Sequence, residues 1–260
     1  MKQRSFNVLG SLAVVNFPDK ISEIEKKKFA KEILQKNKNI KTIVEKSKKF
    51  SGRLRKMKTK FLAGEKTKEV LYKENGCVFR FNIDSTYFSP RLSNERKEIA
   101  KKINFGNVFV AFAGVAPFSI VIAKNPKVEK VYSNEINREA NKYAKLNVEL
   151  NKLKNKVEII QGDFKKIAEK FKKQKIKFDF IVMPRPQLKD SFLIDAFKIS
   201  KKGTRIFYFD FCKIEDIEKI VEKIKLEAKK SKKKIKILQE KQAGEIAPYK
   251  IRLRVEFVIK

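Results

Sequence analysis

The sequence predicts an α/β protein: an open, largely parallel sheet wound with helices, joined to a smaller N-terminal α+β domain. Three observations predict it. The stretch Val108–Ile122, VFVAFAGVAPFSIVI, is an apolar run rich in Val and Phe that reaches a small-residue turn, Ala113-Gly114-Val115-Ala116-Pro117, and then becomes apolar again. A buried strand entering a tight turn and then a helix has this pattern. Downstream, strand-like runs and helical patterns alternate, as they do in sheets built from β-α-β units. Successive strand ends carry Gly114, Glu135, Gly162-Asp163 and Pro184-Arg185-Pro186, and ligands of open α/β sheets sit at the carboxyl ends of strands.

In chain order, Val8–Phe17 reads as a strand, Ser22–Lys36 as a helix and Lys41–Glu45 as a second strand. A Lys/Arg-rich stretch follows, in which Val70–Tyr72 and Cys77–Ile83 flank Lys73–Gly76; Asn75-Gly76 is a hairpin turn signal. The segment Lys46–Lys60 sets Arg53, Arg55, Lys56 and Lys58 around Phe50, with Phe61 and Tyr72 beyond. Such a segment could lie along RNA, cations on phosphates and rings on bases, or form the solvated face of an α+β module. Residues 1–86 are expected to form this accessory RNA-binding domain, and residues 87–260 a second, catalytic domain.

In the second domain, Ser93 is placed to cap a helix over Asn94–Lys102. After the Val108–Ile122 unit come a short strand, Val128–Ser133, leading to Glu135, and a long helix, Asn137–Leu153. Val157–Gln161 and Phe178–Met183 are the third and fourth strands. Asp190–Ser200 reads as an amphipathic helix closed by Lys201-Lys202-Gly203, and Thr204–Phe211 as a strand. Ile214–Ser231 repeats apolar residues at helical spacing. Lys234–Leu238 and Ile251–Ile259 end the chain as an antiparallel pair.

The 260 residues carry 64 Lys and Arg against 30 Asp and Glu, a formal charge of +34. That suits a polyanionic partner, although a Lys-rich bias throughout the chain would give the same sum. The chain lacks His, and Cys77 and Cys212 stand far apart, which excludes the usual zinc frameworks and imidazole-based triads; no metal is expected. No segment reaches the ~18–20 apolar residues of a membrane span, and the N-terminus lacks a secretory cleavage pattern. A cytosolic protein is expected.

Small residues in the first turn allow backbone N–H groups to approach a ligand, and an acidic residue ending the second strand can accept hydrogen bonds from a ribose diol. The chain has neither G-x-G-x-x-G nor G-x-x-x-x-G-K-[ST]. Pyrophosphate binding needs that glycine-rich approach; S-adenosylmethionine, which has no phosphate, does not.

At these residues the chain resembles the class I (Rossmann-like) S-adenosylmethionine-dependent methyltransferases that modify N1 of guanine 37, beside the tRNA anticodon. The blocks that carry the likeness are Ala63–Phe81, YFSPRLSNER (Tyr87–Arg96), FAGVAPFSI (Phe112–Ile120), NEIN (Asn134–Asn137), Gly162-Asp163 and APYK (Ala247–Lys250). They occur in family order and span nearly the whole chain. The resemblance implies the anticodon stem-loop of tRNA as partner, with no protein partner required. It places cofactor contacts at Tyr87 and Arg96, the latter facing the methionine carboxylate, and along the first turn at Phe112, Ala113, Gly114, Val115 and Pro117. It adds Glu135 and Ile136, then Gly162, Asp163 and Phe164, and finally Met183. Asp163 would meet the adenine amino group or, on its position alone, cap the next helix. Methyl transfer to N1 must stabilise charge developing on O6, for which a guanidinium is suited; Arg80, Arg91 and Arg185 are the candidates.

The chain departs from the family at three places. Ala111 stands where an acidic residue is usual, and Ala116 where a Gly is usual. The fourth strand ends in Pro184-Arg185-Pro186 instead of Asn-Leu-Pro. Pro184 thus replaces an amide that reads a base edge; either another group takes over that reading, or the pocket accepts a bulkier base. That would fit the archaeal branch of the family that works in wyosine synthesis and also methylates a carbon of the tricyclic intermediate. Two other readings stay open: an aminocarboxypropyl transferase of the same fold, and an RNA-binding protein impaired in catalysis.

Overall fold

The computed structural model describes residues 6–18, 21–51 and 56–260, with side chains 48–56 outside the description. The chain forms two compact units, Met1–Pro90 and Arg91–Lys260.

The first unit opens on a hairpin, β1 (Phe6–Leu9) and β2 (Leu12–Val15), where the sequence suggested one strand over Val8–Phe17. Gly10 turns the chain at φ +56°, and a Cβ there would lie 2.3 Å from the Leu71 carbonyl oxygen. Helix α1 (Glu23–Lys36) starts in a capping box, Ser22 and Glu25 each bonding the other's backbone N–H. It buries Ala30 and Ile33 against a core that includes Val15, Ile43 and Leu62. Strands β3 (Thr42–Ser51) and β4 (Lys56–Gly64) complete a four-stranded sheet, order β1-β2-β3-β4. Strands β5 (Glu69–Glu74) and β6 (Cys77–Asn82) form the expected hairpin. Asn75 and Gly76 both have positive φ, 49° and 69°, as a type I′ turn requires. Tyr72, read as available for bases, instead packs its ring 5.2 Å from Phe88, which also stacks on Phe81 at 4.6 Å. Arg53 and Arg55 lie outside the described residues.

The second unit begins in a 3-10 turn, Pro90–Leu92, that runs straight into α2 (Ser93–Lys102). Ser93 is therefore the first helical residue, not the cap: Leu92 holds that position without a side-chain cap bond. Then follow β7 (Asn107–Val110), α3 (Pro117–Ala123), β8 (Lys130–Glu135), α4 (Arg138–Leu150), β9 (Val157–Gln161), α5 (Phe164–Lys173) and β10 (Phe178–Met183). Helix α6 is short, Leu193–Lys198, because Ser200 already pairs with Phe178 and opens the long strand β11 (Ser200–Lys213). The stop expected at Lys201-Lys202-Gly203 thus lies inside a strand. Helix α7 (Ile217–Lys230), β12 (Ile235–Ala247) and β13 (Lys250–Ile259) complete the chain.

The seven-stranded sheet has the order β12-β13-β11-β10-β7-β8-β9. Strands β7 to β11 pair in parallel and β13 runs against both neighbours. The ends of β10, β7, β8 and β9 consequently share one edge. One face is apolar, Phe109, Ile181, Tyr208 and Phe257 packing with Phe171, Phe197 and Ile224 of the covering helices. On the opposite face β13 buries Arg254 and Glu256, each 0% exposed. Arg254 pairs with Glu95 and, at 2.8 Å, with Glu98 of α2; Lys102 reaches Glu256 at 2.6 Å. The Arg254 guanidinium, then Lys241, hold the Glu98 carboxyl down from 4.5 to about 2 against the opposing effect of partial burial. A carboxyl depressed on folding adds stability that is complete above its unfolded value and lost as pH falls through the folded one. Acid should therefore weaken the protein between about pH 4.5 and 2, and Glu98→Gln should flatten that part of the urea-midpoint profile. An unaltered profile would exclude Glu98 as its source.

Candidate active site

The first strand's turn is held by an unusual backbone. Ala111 N–H donates to the Val182 carbonyl (3.0 Å) and Ala113 N–H to that of Asn134 (2.9 Å), tying the turn to both neighbouring strands. Within five residues Phe112, Gly114 and Ala116 have φ of 55°, 57° and 67°. Left-handed backbone is costly for a side chain with a Cβ and concentrates at functional turns. The residue at 116 thus differs from a glycine mainly in backbone strain; the methyl itself is accommodated in a fully buried position. Pro117, with its preset φ, starts α3.

Glu135 closes this turn. One carboxylate oxygen accepts from Gly114 N–H (2.8 Å) and the other from Asn137 N–H (2.8 Å), while its carbonyl accepts from Gly162 N–H (3.0 Å). Asn134 extends the seam to the third strand, donating to the Ile160 and Gly162 carbonyls at 3.0 and 3.1 Å. Glu135 is partly exposed, and each carboxylate oxygen has two acceptor sites. It can therefore clamp two turns and still receive a ribose hydroxyl. Asp163 caps α5, its Oδ1 accepting from Lys165 N–H at 2.9 Å, so the capping alternative is realised. Phe164 is only 3% exposed and stacks on Phe109 at 5.4 Å; Val115, Pro117 and Met183 are also buried. These four are packed inside the protein, while Ile136 and Gly162 stay partly open. The edge thus offers carboxylate acceptors and apolar surface, which suits a nucleoside without phosphate. Among the described residues no group of His, Cys, Asp and Glu could hold a metal.

Arg96 on α2 is 1% exposed with its guanidinium 5.6 Å from the Phe118 ring of α3, not the surface ion pair its sequence would equally allow. Arg91 is exposed in the 3-10 turn. In the first unit, Arg80 is exposed on β6, 3.9 Å from Glu69, and Tyr87 is half-buried on the following segment.

Arg185 is a correction. Its side chain is 2% exposed and spends its donors inside the protein: Nη2 to Asp210 (2.5 Å), Nε to the Tyr208 hydroxyl (3.1 Å), and Nη1 to the carbonyls of Pro186 and Leu188 (3.1 Å each). The Tyr208 hydroxyl donates to the other Asp210 oxygen at 2.8 Å. A guanidinium so committed fixes the loop after β10; it does not project to meet a base oxygen. Sequence reasoning missed Tyr208 and Asp210, although Tyr-Phe-Asp in an otherwise aromatic strand places two polar groups on one face.

A family model described as the TRM5/TYW2 methyltransferase domain matches residues 70–238, and one described as the TYW2 N-terminal domain matches residues 2–67. The chain belongs to the TRM5/TYW2 methyltransferase family. S-adenosylmethionine, read from the sequence, is the cofactor of this family. A curated relative, tRNA (guanine(37)-N(1))-methyltransferase Trm5b of Pyrococcus abyssi, is 32% identical over 97% of this chain and 74% of its own length. The tRNA (guanine(37)-N(1))/4-demethylwyosine(37)-methyltransferase Taw22 of Nanoarchaeum equitans is 30% identical over 98% of this chain and 99% of its own. A solved complex of aTrm5 with tRNALeu superposes with a TM-score of 0.86 at 28% identity, covering 98% of this chain and 72% of that one. Among the described residues no helix is long and apolar enough to cross a membrane.

Proposed function

We propose that this TRM5/TYW2 family member transfers a methyl group from S-adenosylmethionine to N1 of guanine 37 in the anticodon loop of cytosolic tRNA, without a protein partner. The supporting observation is the Glu135 clamp, which joins the first turn to the second at the shared edge of parallel strands. The cofactor supplies an electrophilic methyl group when bound. Glu135 orients its ribose, Asp163 and Ile136 border the adenine, and Arg96 meets the carboxylate. With Arg185 committed elsewhere, Arg91 or, as the alternative, Arg80 remains for O6, where a fixed positive charge stabilises the developing oxyanion. The test is mass spectrometry of nucleosides after incubating protein, cofactor and unmodified tRNA. 1-Methylguanosine is expected; an aminocarboxypropyl adduct would make the chain the related transferase, and no product a binding protein.

A second substrate is favoured by the loop after β10. Pro184 offers no side-chain donor or acceptor, and Arg185 turns inward. A site without an amide on that wall should accept the tricyclic wyosine precursor as well, with methylation at C7. Pro184→Asn should then penalise the tricyclic substrate more than guanine, because it adds a wall group that demands a hydrogen bond. Single-turnover rates on both tRNAs measure this. A wild-type protein that leaves tricyclic tRNA untouched while methylating guanine would sink the wider pocket.

The first unit is proposed to bind tRNA through Lys46–Lys60. Of that segment Lys58 is exposed on β4, while Lys60 already pairs with Glu23 at 2.7 Å. Neutralising Arg53, Arg55, Lys56 and Lys58 together should lower the slope of log affinity against log salt by up to about four times 0.7–0.9. An unchanged slope would turn this face away from RNA.

A further inference from the structure

Strand β11 outruns its parallel neighbour. β10 ends at Met183, which pairs with Tyr208, whereas β11 continues to Lys213 and pairs there with Lys250 of β13. At about 3.3 Å per residue, β11 and the β12–β13 hairpin project roughly 17 Å past the edge that carries Met183. The projection ends in an unusual tip. Tyr249 is 81% exposed, with Ile214 at 50% and Ile246 at 43% beside it in the hairpin and at the end of β11. Tyr249 has φ 59°, a left-handed conformation that costs an aromatic residue energy. The Ile214 N–H donates to the Tyr249 carbonyl at 3.1 Å and pins it there. The two-residue turn Pro248-Tyr249 needs a positive φ at its second position, where Gly or Asn would be unstrained; this chain instead places there an aromatic ring open to solvent. Lys213 and Lys250 lie across from each other just behind it, and the Lys213 ammonium, still largely exposed, sits 3.1 Å from Glu215.

We propose that this tip is an RNA-contact element: the Tyr249 ring stacks on an unpaired base of the anticodon loop next to the target nucleotide, with Lys213 and Lys250 on the adjoining phosphates. The inference rests on the tRNA methyltransferase reading above. An exposed ring flanked by lysines matches single-stranded RNA, whose bases present open π-faces between phosphates, and a chain of charge +34 favours that partner over a basic or neutral one. The projecting geometry permits contact beyond the strand ends, where a loop would have to reach with the target base inserted.

The test compares wild type with Tyr249→Ala, Tyr249→Phe and the Lys213→Ala/Lys250→Ala pair, using an unmodified anticodon stem-loop RNA and S-adenosylmethionine as separate ligands. Tyr249→Ala should weaken RNA binding about tenfold or more with the salt slope unchanged, because no charge is lost. Tyr249→Phe should bind like wild type, the lysine pair should lower the salt slope, and cofactor affinity and thermal midpoint should hold in every variant. Wild-type RNA affinity in Tyr249→Ala would overturn the tip contact while leaving the methyltransferase reading intact. A dimer of wild type that Tyr249→Ala dissolves, with RNA affinity unchanged, would assign the tip to a second copy and equally overturn it. Failure of the wild type itself to bind the RNA or to methylate tRNA would overturn the functional reading, and the tip with it.

Discussion

Replacing Asp210 by alanine should cost about 3–5 kcal/mol of folding stability, the range for removing one partner of a buried ion pair. Asp210 is 5% exposed and Arg185 3%. Without the carboxylate, the Arg185 guanidinium stays buried with its strongest acceptor gone, the Tyr208 hydroxyl loses the oxygen it donates to, and Lys223, 3.5 Å away, loses its counter-charge. Burial pushes the Tyr208 phenol far above its ordinary range, so in the native protein its hydroxyl stays a neutral donor to Asp210. Urea unfolding of Asp210→Ala measures the loss. Replacing both members, Arg185→Met with Asp210→Leu, should recover much of it, since an apolar pair of similar volume needs no desolvated charge. A loss below about 1 kcal/mol in the single variant would show that water reaches the pair and that the loop after β10 is not held by it.

The second large effect is on cofactor binding. Glu135→Ala should weaken S-adenosylmethionine at least tenfold, about 1.4 kcal/mol, and Glu135→Gln should fare little better. Both carboxylate oxygens accept backbone N–H groups, from Gly114 and Asn137. An amide has one acceptor and would turn its NH2 toward one of those donors. The loss therefore combines a missing ribose partner with a loosened first turn. Titration calorimetry decides it; wild-type affinity in Glu135→Ala would remove this edge from the cofactor site.

Much of the second unit was legible because its central strands β7 to β10 are short, β-branched and aromatic residues recur in them, and turn residues bound them. Val157–Gln161 and Phe178–Met183 were read to the residue: Gly162 follows one and Pro184 the other, and neither residue sits well in a continuing central strand. The hairpin at Asn75-Gly76 was equally clear, because its turn type imposes that chemistry. Elements set by distant partners were less so. Val8–Phe17 looked like one strand because its apolar run hardly breaks, and Gly10 turns sharply where the Leu71 carbonyl leaves no room for a Cβ. The helix expected over Asp190–Ser200 is shortened because Ser200 pairs with Phe178, while Thr204 Oγ1 donates to the Phe178 carbonyl at 2.6 Å.

By itself, the sequence determined the alternating α/β order, the acidic residue at the second strand's end, the family blocks and so the cofactor; these are local patterns of turn chemistry and periodicity. Only the tertiary structure decided which charges face inward. Arg185, Arg96 and Arg254 are all plain arginines in the sequence, and each is buried because another strand or helix brings it a partner: Asp210 for Arg185, the Phe118 ring for Arg96, and Glu95 with Glu98 for Arg254. Desolvating a guanidinium is tolerable only when its partners are already in place. Those partners lie between about 20 and 160 residues away along the chain, a separation that no window of local sequence spans.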